Sequence, residues 1–180
     1  MARPRIYRTN ADRQRAYRKR RKRSVHFRST TDLWSTPQLL FDTLSAEFGF
    51  TLDVCALPDN AKCAAYFTPT QDGLQQVWTG SCWCNPPYGA VIGQWVQKAY
   101  ESAQAGALVV CLLPARSDTR WWHDYVMPSA EVRFLKGRLK CGGACHSAPF
   151  PSAVVILNPR AAVTWCGRHV SSCGWCRPER

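Results

Sequence analysis

The sequence lacks long apolar segments. No run among its 180 residues approaches the roughly 20 apolar residues that a membrane-spanning helix needs, and its first residues contain no apolar segment typical of a signal peptide. These absences argue against a membrane protein or an exported one. We therefore expect a soluble, cytoplasmic protein of about one domain, long enough to bury a hydrophobic core.

Acidic residues are nearly absent from the first 28 residues. This segment contains twelve of the 24 Lys and Arg residues and one acid, Asp12, so it carries a net charge of +11, whereas the rest of the chain carries +1. If this segment formed a helix, the helix would have no apolar face wide enough to dock it on the rest of the protein. We predict that residues 1–30 form a basic, disordered arm that binds nucleic acid, with a solubilising tail as the alternative. The predicted contacts are Arg13, Arg15, Arg18 and Arg20.

Cysteine, in contrast, is abundant, with ten residues in the chain. Without an export signal these are better interpreted as reduced thiols, several of them small buried hydrophobic residues. Residues 161–180 form a cysteine-rich tail that contains four possible zinc ligands: Cys166, His169, Cys173 and Cys176. Their two pairs lie closer together than those of ordinary zinc fingers, so we assign no metal.

The tetrad Asn85-Pro86-Pro87-Tyr88 is the most informative stretch of the chain. It follows a short apolar segment, residues 81–84, and precedes a helical pattern, so it lies on a strand-to-helix turn. In an open α/β fold such a turn lies at the carboxyl edge of the sheet, where ligands bind. The two prolines stiffen the turn and give its carbonyl groups fixed directions.

This turn carries groups suited to chemistry on an amino nitrogen conjugated to a ring. The Asn85 side-chain oxygen and the Pro86 carbonyl can both accept hydrogen bonds from the amino group, while the Tyr88 ring can stack on a base. Two acceptors draw the nitrogen toward tetrahedral geometry and disperse the positive charge that develops during alkylation. A Pro-Pro turn with a packing tyrosine is the alternative.

Several stretches of the chain resemble the small phage-encoded DNA N6-adenine methyltransferases, the Dam-like family, over residues 33–158. They include Trp34-Ser35-Thr36-Pro37, Leu52-Asp53-Val54, Asp72-Gly73-Leu74, the tetrad, and Ala148-Pro149-Phe150-Pro151. The resemblance implies an α/β fold within residues 31–160. This is a Rossmann-like methyltransferase sheet, mostly parallel with a terminal antiparallel hairpin. It also implies methyl transfer from S-adenosylmethionine to a flipped adenine of DNA, catalysed by Asn85, Pro86, Pro87 and Tyr88.

The resemblance further implies how the cofactor is held. A helix start of the Thr36-Pro37 type, predicted as N-cap and first helical residue, faces the cofactor's carboxylate, and Asp53 lies near its methionine end, with Asn85 adjoining. Asp72 accepts hydrogen bonds from the ribose hydroxyls or the adenine amino group of the cofactor. A plain helix cap for Thr36 and an ordinary turn for Asp72 are the alternatives. No Gly-x-Gly follows Asp53, so the usual glycine-rich cofactor loop of methyltransferases is missing.

Three arginines outside the arm lie on loops that are predicted to reach DNA. Arg116 and Arg120 follow the apolar run 107–113, and Arg138 lies in a basic loop between the last two strand candidates. Ordinary solvated loops are the alternative. Because there is little room for a separate recognition domain, we expect specificity for the DNA sequence to come from these loops and the arm.

Two other classes of function are compatible with the same residues. Other amino-methylating enzymes use this tetrad, so an RNA base or a protein glutamine is an alternative substrate. A basic nucleic-acid-binding protein without catalysis is an alternative of another class. Binding of the methyl donor separates an enzyme from a non-catalytic protein, whereas the nucleoside composition of the product separates the substrates. The sequence does not set the oligomeric state.

Removal of residues 1–27 should weaken DNA binding and flatten its dependence on salt, because fewer counterions are then released from the phosphates. Methyl transfer at saturating DNA and low salt should largely survive. The measurement is DNA affinity at several salt concentrations for the full-length and truncated chains. An unchanged slope of log affinity against log salt would contradict a phosphate-binding role for the arm.

Overall fold

A computed structural model of the chain describes residues 34–140 and 147–159, together with Thr9, Ala11, Asp12 and Gln14. The predicted arm contacts Arg13, Arg15, Arg18 and Arg20 lie outside the described residues, as does the cysteine-rich tail. Within the described ranges no helix is both long enough and apolar enough to cross a membrane.

One sheet of six strands organises the fold. The strands are β1 Leu52–Asp53, β2 Ala65–Tyr66, β3 Ser81–Cys84, β4 Leu108–Pro114, β5 Glu131–Phe134 and β6 Ser152–Leu157. Their order across the sheet is β2-β1-β3-β4-β6-β5. The first four strands are parallel, whereas β6 runs antiparallel to both β4 and β5. The predicted Rossmann-like sheet, mostly parallel with a terminal antiparallel pair, is therefore confirmed.

The two main helices pack on opposite faces of this sheet. They are α1, Gln38–Phe48, and α2, Ile92–Gln104. Val109, Cys111 and Leu113 of β4 belong to the core cluster that contains α2, whereas Val110 and Leu112 belong to the cluster that contains α1. Because both faces of β4 are covered, its sequence is apolar throughout, as expected for a central parallel strand.

α1 begins one residue later than predicted. Pro37 occupies the N-cap position with an extended backbone, φ −57° and ψ 133°, and no side chain caps the helix. The hydroxyl of Thr36 instead accepts a hydrogen bond from Asn85. The expectation that Thr36 caps this helix is therefore wrong. The helix ends at Phe48, and Gly49 follows as its C-cap with a φ of 60°, which suits glycine.

The carboxyl end of α1 is fastened to β5 by an ion pair. The Arg133 guanidinium donates two hydrogen bonds of 2.7 Å to the Glu47 carboxylate and lies 5.4 Å from the centroid of the Phe48 ring. The hydrogen bonds from Arg133 lower the pKa of Glu47. This bidentate geometry holds the helix against the last strand pair.

Candidate active site

Polar side chains gather at the carboxyl ends of three parallel strands. Asp53 ends β1, Asn85 follows β3, and Arg116 comes two residues after β4. After β1 the chain forms β2 on one side and then returns to form β3 on the other, so the strand order reverses between β1 and β3. Open α/β sheets bind their ligands at such a reversal point.

A cavity of about 330 Å³ lies beside this reversal point. Its size falls within the range of about 300–1,000 Å³ that is typical of small-molecule sites. Six of the predicted site residues line it: Thr36, Asp53, Asp72, Asn85, Pro86 and Pro87. Pro37 and Tyr88 are not part of its lining. The structure thus brings together segments that are distant in the sequence and were predicted to share a site.

Asn85 is held by hydrogen bonds on both sides of its amide. Its Nδ2 donates to the Trp34 carbonyl at 2.5 Å and to the Thr36 hydroxyl at 3.1 Å. Its Oδ1 lies 2.9 Å from the Tyr88 hydroxyl, which donates to it. The carboxamide therefore has one defined orientation, with its oxygen turned away from the segment that precedes α1.

Tyr88 is buried, with only 5% of its surface exposed. Its hydroxyl lies within hydrogen-bond distance of two acceptors, Asn85 Oδ1 and the Leu112 carbonyl at 3.0 Å, and its single proton serves one of them at a time. The ring packs edge-on against Phe150, at 5.4 Å between centroids. In this conformation the hydroxyl lies at hydrogen-bond distance from the Asn85 oxygen, and the ring packs in the core.

Asp53 organises the loop that follows β1. Its carboxylate accepts hydrogen bonds from the backbone N–H groups of Cys55, at 3.2 Å, and Lys62, at 3.1 Å. Burial raises the pKa of Asp53, and the two backbone donors and the Lys62 charge offset only part of that effect. One buried carboxylate thus ties both ends of the loop to the sheet edge.

The backbone of this loop does not need glycine. No residue between Val54 and Lys62 has a positive φ, so nothing in the backbone path requires glycine. The Asn60 side chain accepts from the Leu57 N–H at 2.8 Å and closes the middle of the loop. Side-chain acceptors on Asp53 and Asn60 therefore fix the wall of the cavity.

Asp72 also lines the cavity and lies in a tight turn. Its φ is 50°, and its carboxylate accepts from the Leu74 N–H at 3.2 Å. Gly73 follows because a Cβ there would lie 2.2 Å from the Val54 carbonyl oxygen. The buried Trp78 indole donates to the Gly73 carbonyl at 2.8 Å. The turn is therefore pressed against the end of β1, with its exposed carboxylate at the cavity.

Lys62 is a cavity residue that the sequence analysis missed. Its ammonium group donates to the Gln38 side chain, at the first residue of α1, at 2.6 Å. It is the one cation among the lining residues of the described cavity. A lysine in a connecting loop carries no signal in the sequence, because its place depends on the Asp53 hydrogen bond that folds the loop back.

The three arginines predicted to contact DNA differ in their surroundings. One guanidinium nitrogen of Arg116 lies 3.5 Å from the Tyr88 carbonyl oxygen, so this partly buried side chain supports the tetrad. Arg120 is 96% exposed and lies 3.8 Å from the Asp124 carboxylate. Arg138 is exposed in the loop after β5.

Comparisons with known proteins agree with this architecture. The family model described as DNA N-6-adenine-methyltransferase (Dam) matches residues 23–159. The chain is 32% identical over 143 residues to a DNA N-6-adenine-methyltransferase of Haemophilus phage HP1 (strain HP1c1), across 74% of this chain and 83% of that protein. It is 30% identical over 111 residues to a DNA N-6-adenine-methyltransferase of Escherichia phage T1, across 60% of this chain and 46% of that protein.

The matched region includes every strand of the sheet and all six predicted residues that line the cavity. Because the family model spans well over half of the sequence and the HP1 relative aligns over most of both proteins, the chain belongs to the DNA N-6-adenine-methyltransferase (Dam) family.

Proposed function

We propose that this protein transfers a methyl group from S-adenosylmethionine to the N6 amino group of a flipped adenine in DNA. Asn85, Pro86, Pro87 and Tyr88 form the catalytic turn in this proposal. The observation that carries it is the position of Asn85, whose oriented amide borders a small-molecule cavity at the reversal point of the sheet. The DNA substrate follows the family and its named relatives.

The chemistry of the cavity lining fits S-adenosylmethionine. Phe67, Leu74 and Trp95 offer apolar surface for an adenine ring, and the exposed Asp72 carboxylate can accept from ribose or adenine. Lys62, held beside the start of α1, is placed to attract a carboxylate, as is the helix start itself. When bound, S-adenosylmethionine supplies an electrophilic methyl group.

The catalytic role of the turn is acceptance of hydrogen bonds from the target amine. Asn85 Oδ1 and the Pro86 carbonyl hold its two N–H groups, and their pull strengthens as the nitrogen loses conjugation with the ring. The adenine must leave the duplex, which costs a few kcal/mol. Holding the amine in line with the methyl group then contributes much of the acceleration.

Base capture in this proposal includes a rearrangement of Tyr88. The hydroxyl must leave Asn85 Oδ1 before the target amine takes that acceptor, and the buried ring must turn toward the cavity to stack on the base. Arg116 holds the carbonyl of Tyr88, so the backbone has an anchor while the side chain moves.

The cavity offers no activated thiolate nucleophile in its described lining. Cys55 is the cysteine there, and burial, with a smaller contribution from the Asp53 charge, raises its pKa to about 12. Its thiol therefore stays protonated at neutral pH. Direct transfer to the amine needs no covalent intermediate, which agrees with this environment.

DNA contacts are proposed for Arg116, Arg120 and Arg138 together with the arm at residues 1–30. Arg120 and Arg138 are exposed and suit phosphate contacts. Arg116 sits closest to the catalytic turn, so we propose that it contacts the backbone next to the flipped nucleotide.

Asp53→Asn should weaken binding of S-adenosylmethionine. The amide retains one acceptor but turns an NH₂ group toward the second backbone N–H, and a buried donor left without an acceptor costs about 1–3 kcal/mol. Calorimetry measures the affinity for the donor. Asp59→Asn is the matched control, because Asp59 is exposed on the same loop, outside the cavity lining. Equal affinities of the two variants would contradict the role of Asp53.

Asn85→Ala should slow methyl transfer by a factor on the order of a hundred. Enzymes lose about this much rate when one preorganised hydrogen-bond partner of the charge that develops in the transition state is removed. The measurement is single-turnover formation of N6-methyladenine in DNA, followed by nucleoside analysis with labelled S-adenosylmethionine. Asn158→Ala is the control, because Asn158 follows β6 at the opposite edge of the sheet. A wild-type rate for Asn85→Ala would leave the tetrad as a structural turn only.

Tyr88→Ala should impair capture of the flipped base, because stacking contributes about 1–3 kcal/mol per base. Tyr88→Phe and Tyr88→Trp should retain much of the activity, since both keep an aromatic face. Fluorescence of 2-aminopurine at the target position reports flipping separately from chemistry. Normal flipping by Tyr88→Ala would argue against a stacking role.

A further inference from the structure

Thr36 lies at the catalytic turn and not only at the helix start. We propose that Thr36 is a positioning residue for Asn85, and this inference rests on the proposed function. The segment Trp34–Thr36 accepts both amide hydrogens of Asn85, at 2.5 Å and 3.1 Å, and so fixes the direction of its oxygen. Thr36 acts through Asn85 and does not itself touch the reacting amine.

The chemistry of the partners establishes which way the amide points. The Trp34 carbonyl can only accept, so the Asn85 atom 2.5 Å from it must be the nitrogen. The oxygen then faces the other side, where the Tyr88 hydroxyl donates to it at 2.9 Å. The usual ambiguity between the two ends of a carboxamide is absent at this position.

The acceptor segment is itself fixed in place. Thr36 is 4% exposed, and the Trp34 ring packs edge-on against Phe150 at 5.4 Å between centroids. On the other side α1 packs against β3 itself, with the rings of Phe41 and Trp83 5.6 Å apart. Because the terminal torsion of asparagine is broad, two bonds to a rigid segment are what hold the amide plane.

These bonds also affect the strength of the oxygen as an acceptor. An amide that donates through its nitrogen is polarised, and hydrogen bonds in such chains strengthen by about 10–30% each. Orientation and polarisation therefore act together on the atom proposed to accept from the adenine amine. Loss of the Thr36 acceptor should lower the rate of transfer more than the affinity for either substrate.

The first test replaces the hydroxyl at constant shape. Thr36→Val should slow single-turnover methyl transfer about tenfold when DNA and S-adenosylmethionine are both saturating. A tenfold effect corresponds to the loss of about one hydrogen bond. Thr36→Ser keeps the acceptor and should restore most of the rate. The affinity for S-adenosylmethionine, measured by calorimetry, should change less than about twofold. Loss of a direct hydrogen bond from Thr36 to S-adenosylmethionine would change that affinity more. Thr43→Val, the same change at an exposed site of α1, should match wild type.

A double-mutant comparison separates positioning from other roles. If Thr36 acts through Asn85, Thr36→Val should have no further effect in the Asn85→Ala background. The same tenfold loss in that background, or a loss confined to donor affinity, would overturn the proposal. Asn85→Ala with a wild-type rate would instead refute the proposed function, so the two failures are distinguishable.

Asn85→Asp tests the same geometry without changing Thr36. It replaces the nitrogen by an oxygen facing the Trp34 carbonyl, so two acceptors would meet where a 2.5 Å hydrogen bond now lies. We expect transfer at neutral pH to slow at least tenfold, although a carboxylate is the stronger acceptor for an amine. A rate equal to or above that of wild type would overturn the positioning role.

Discussion

Two hydrogen bonds from the Asn85 amide join the end of β3 to a segment about fifty residues earlier in the chain. They connect the turn proposed to carry the chemistry to the segment that leads into α1. Since α1 is also clamped to β5 through Glu47 and Arg133, the orientation of one amide depends on packing across the domain. The proposed catalytic geometry and the stability of the fold therefore share the same contacts.

The cavity illustrates a second constraint, the closure of the loop after β1 without glycine. Asp53 and Asn60 close the loop after β1 through side-chain acceptors, and Gly73 permits the Asp72 turn to approach Val54 closely. A buried carboxylate here costs desolvation, as its raised pKa indicates, and stabilises the loop in return. The cavity wall thus depends on polar groups where related folds use backbone flexibility.

Much of the fold could be predicted from the sequence because its signals were local. The apolar segments at 81–84 and 107–113 match β3 and β4, and the terminal antiparallel pair is confirmed. The strand signals depend only on periodicity and on turn residues. The resemblance to the Dam-like family, in contrast, was needed to place Asp53 near Asn85, and the structure puts both side chains at the carboxyl ends of parallel strands.

The remaining features depend on contacts between distant segments. Thr36 and proline at a helix start favour a cap, but the Asn85 amide competes for the hydroxyl and the helix begins at Gln38. The burial of Tyr88 requires Phe150, and the cavity position of Lys62 requires the Asp53 hydrogen bond. No local pattern contains either partner, so both features were out of reach of the sequence.

The position of β6 has a consequence for how the chain acquires this fold. β6 lies between β4 and β5, so residues 152–157 must be synthesised before either neighbour has its full set of hydrogen bonds. Until then the seven-residue apolar strand β4 exposes an unpaired edge, the type of surface on which nascent chains associate. The strand that covers this edge is the last strand of the sheet to be synthesised, so the edge stays open to association until the sheet is nearly complete.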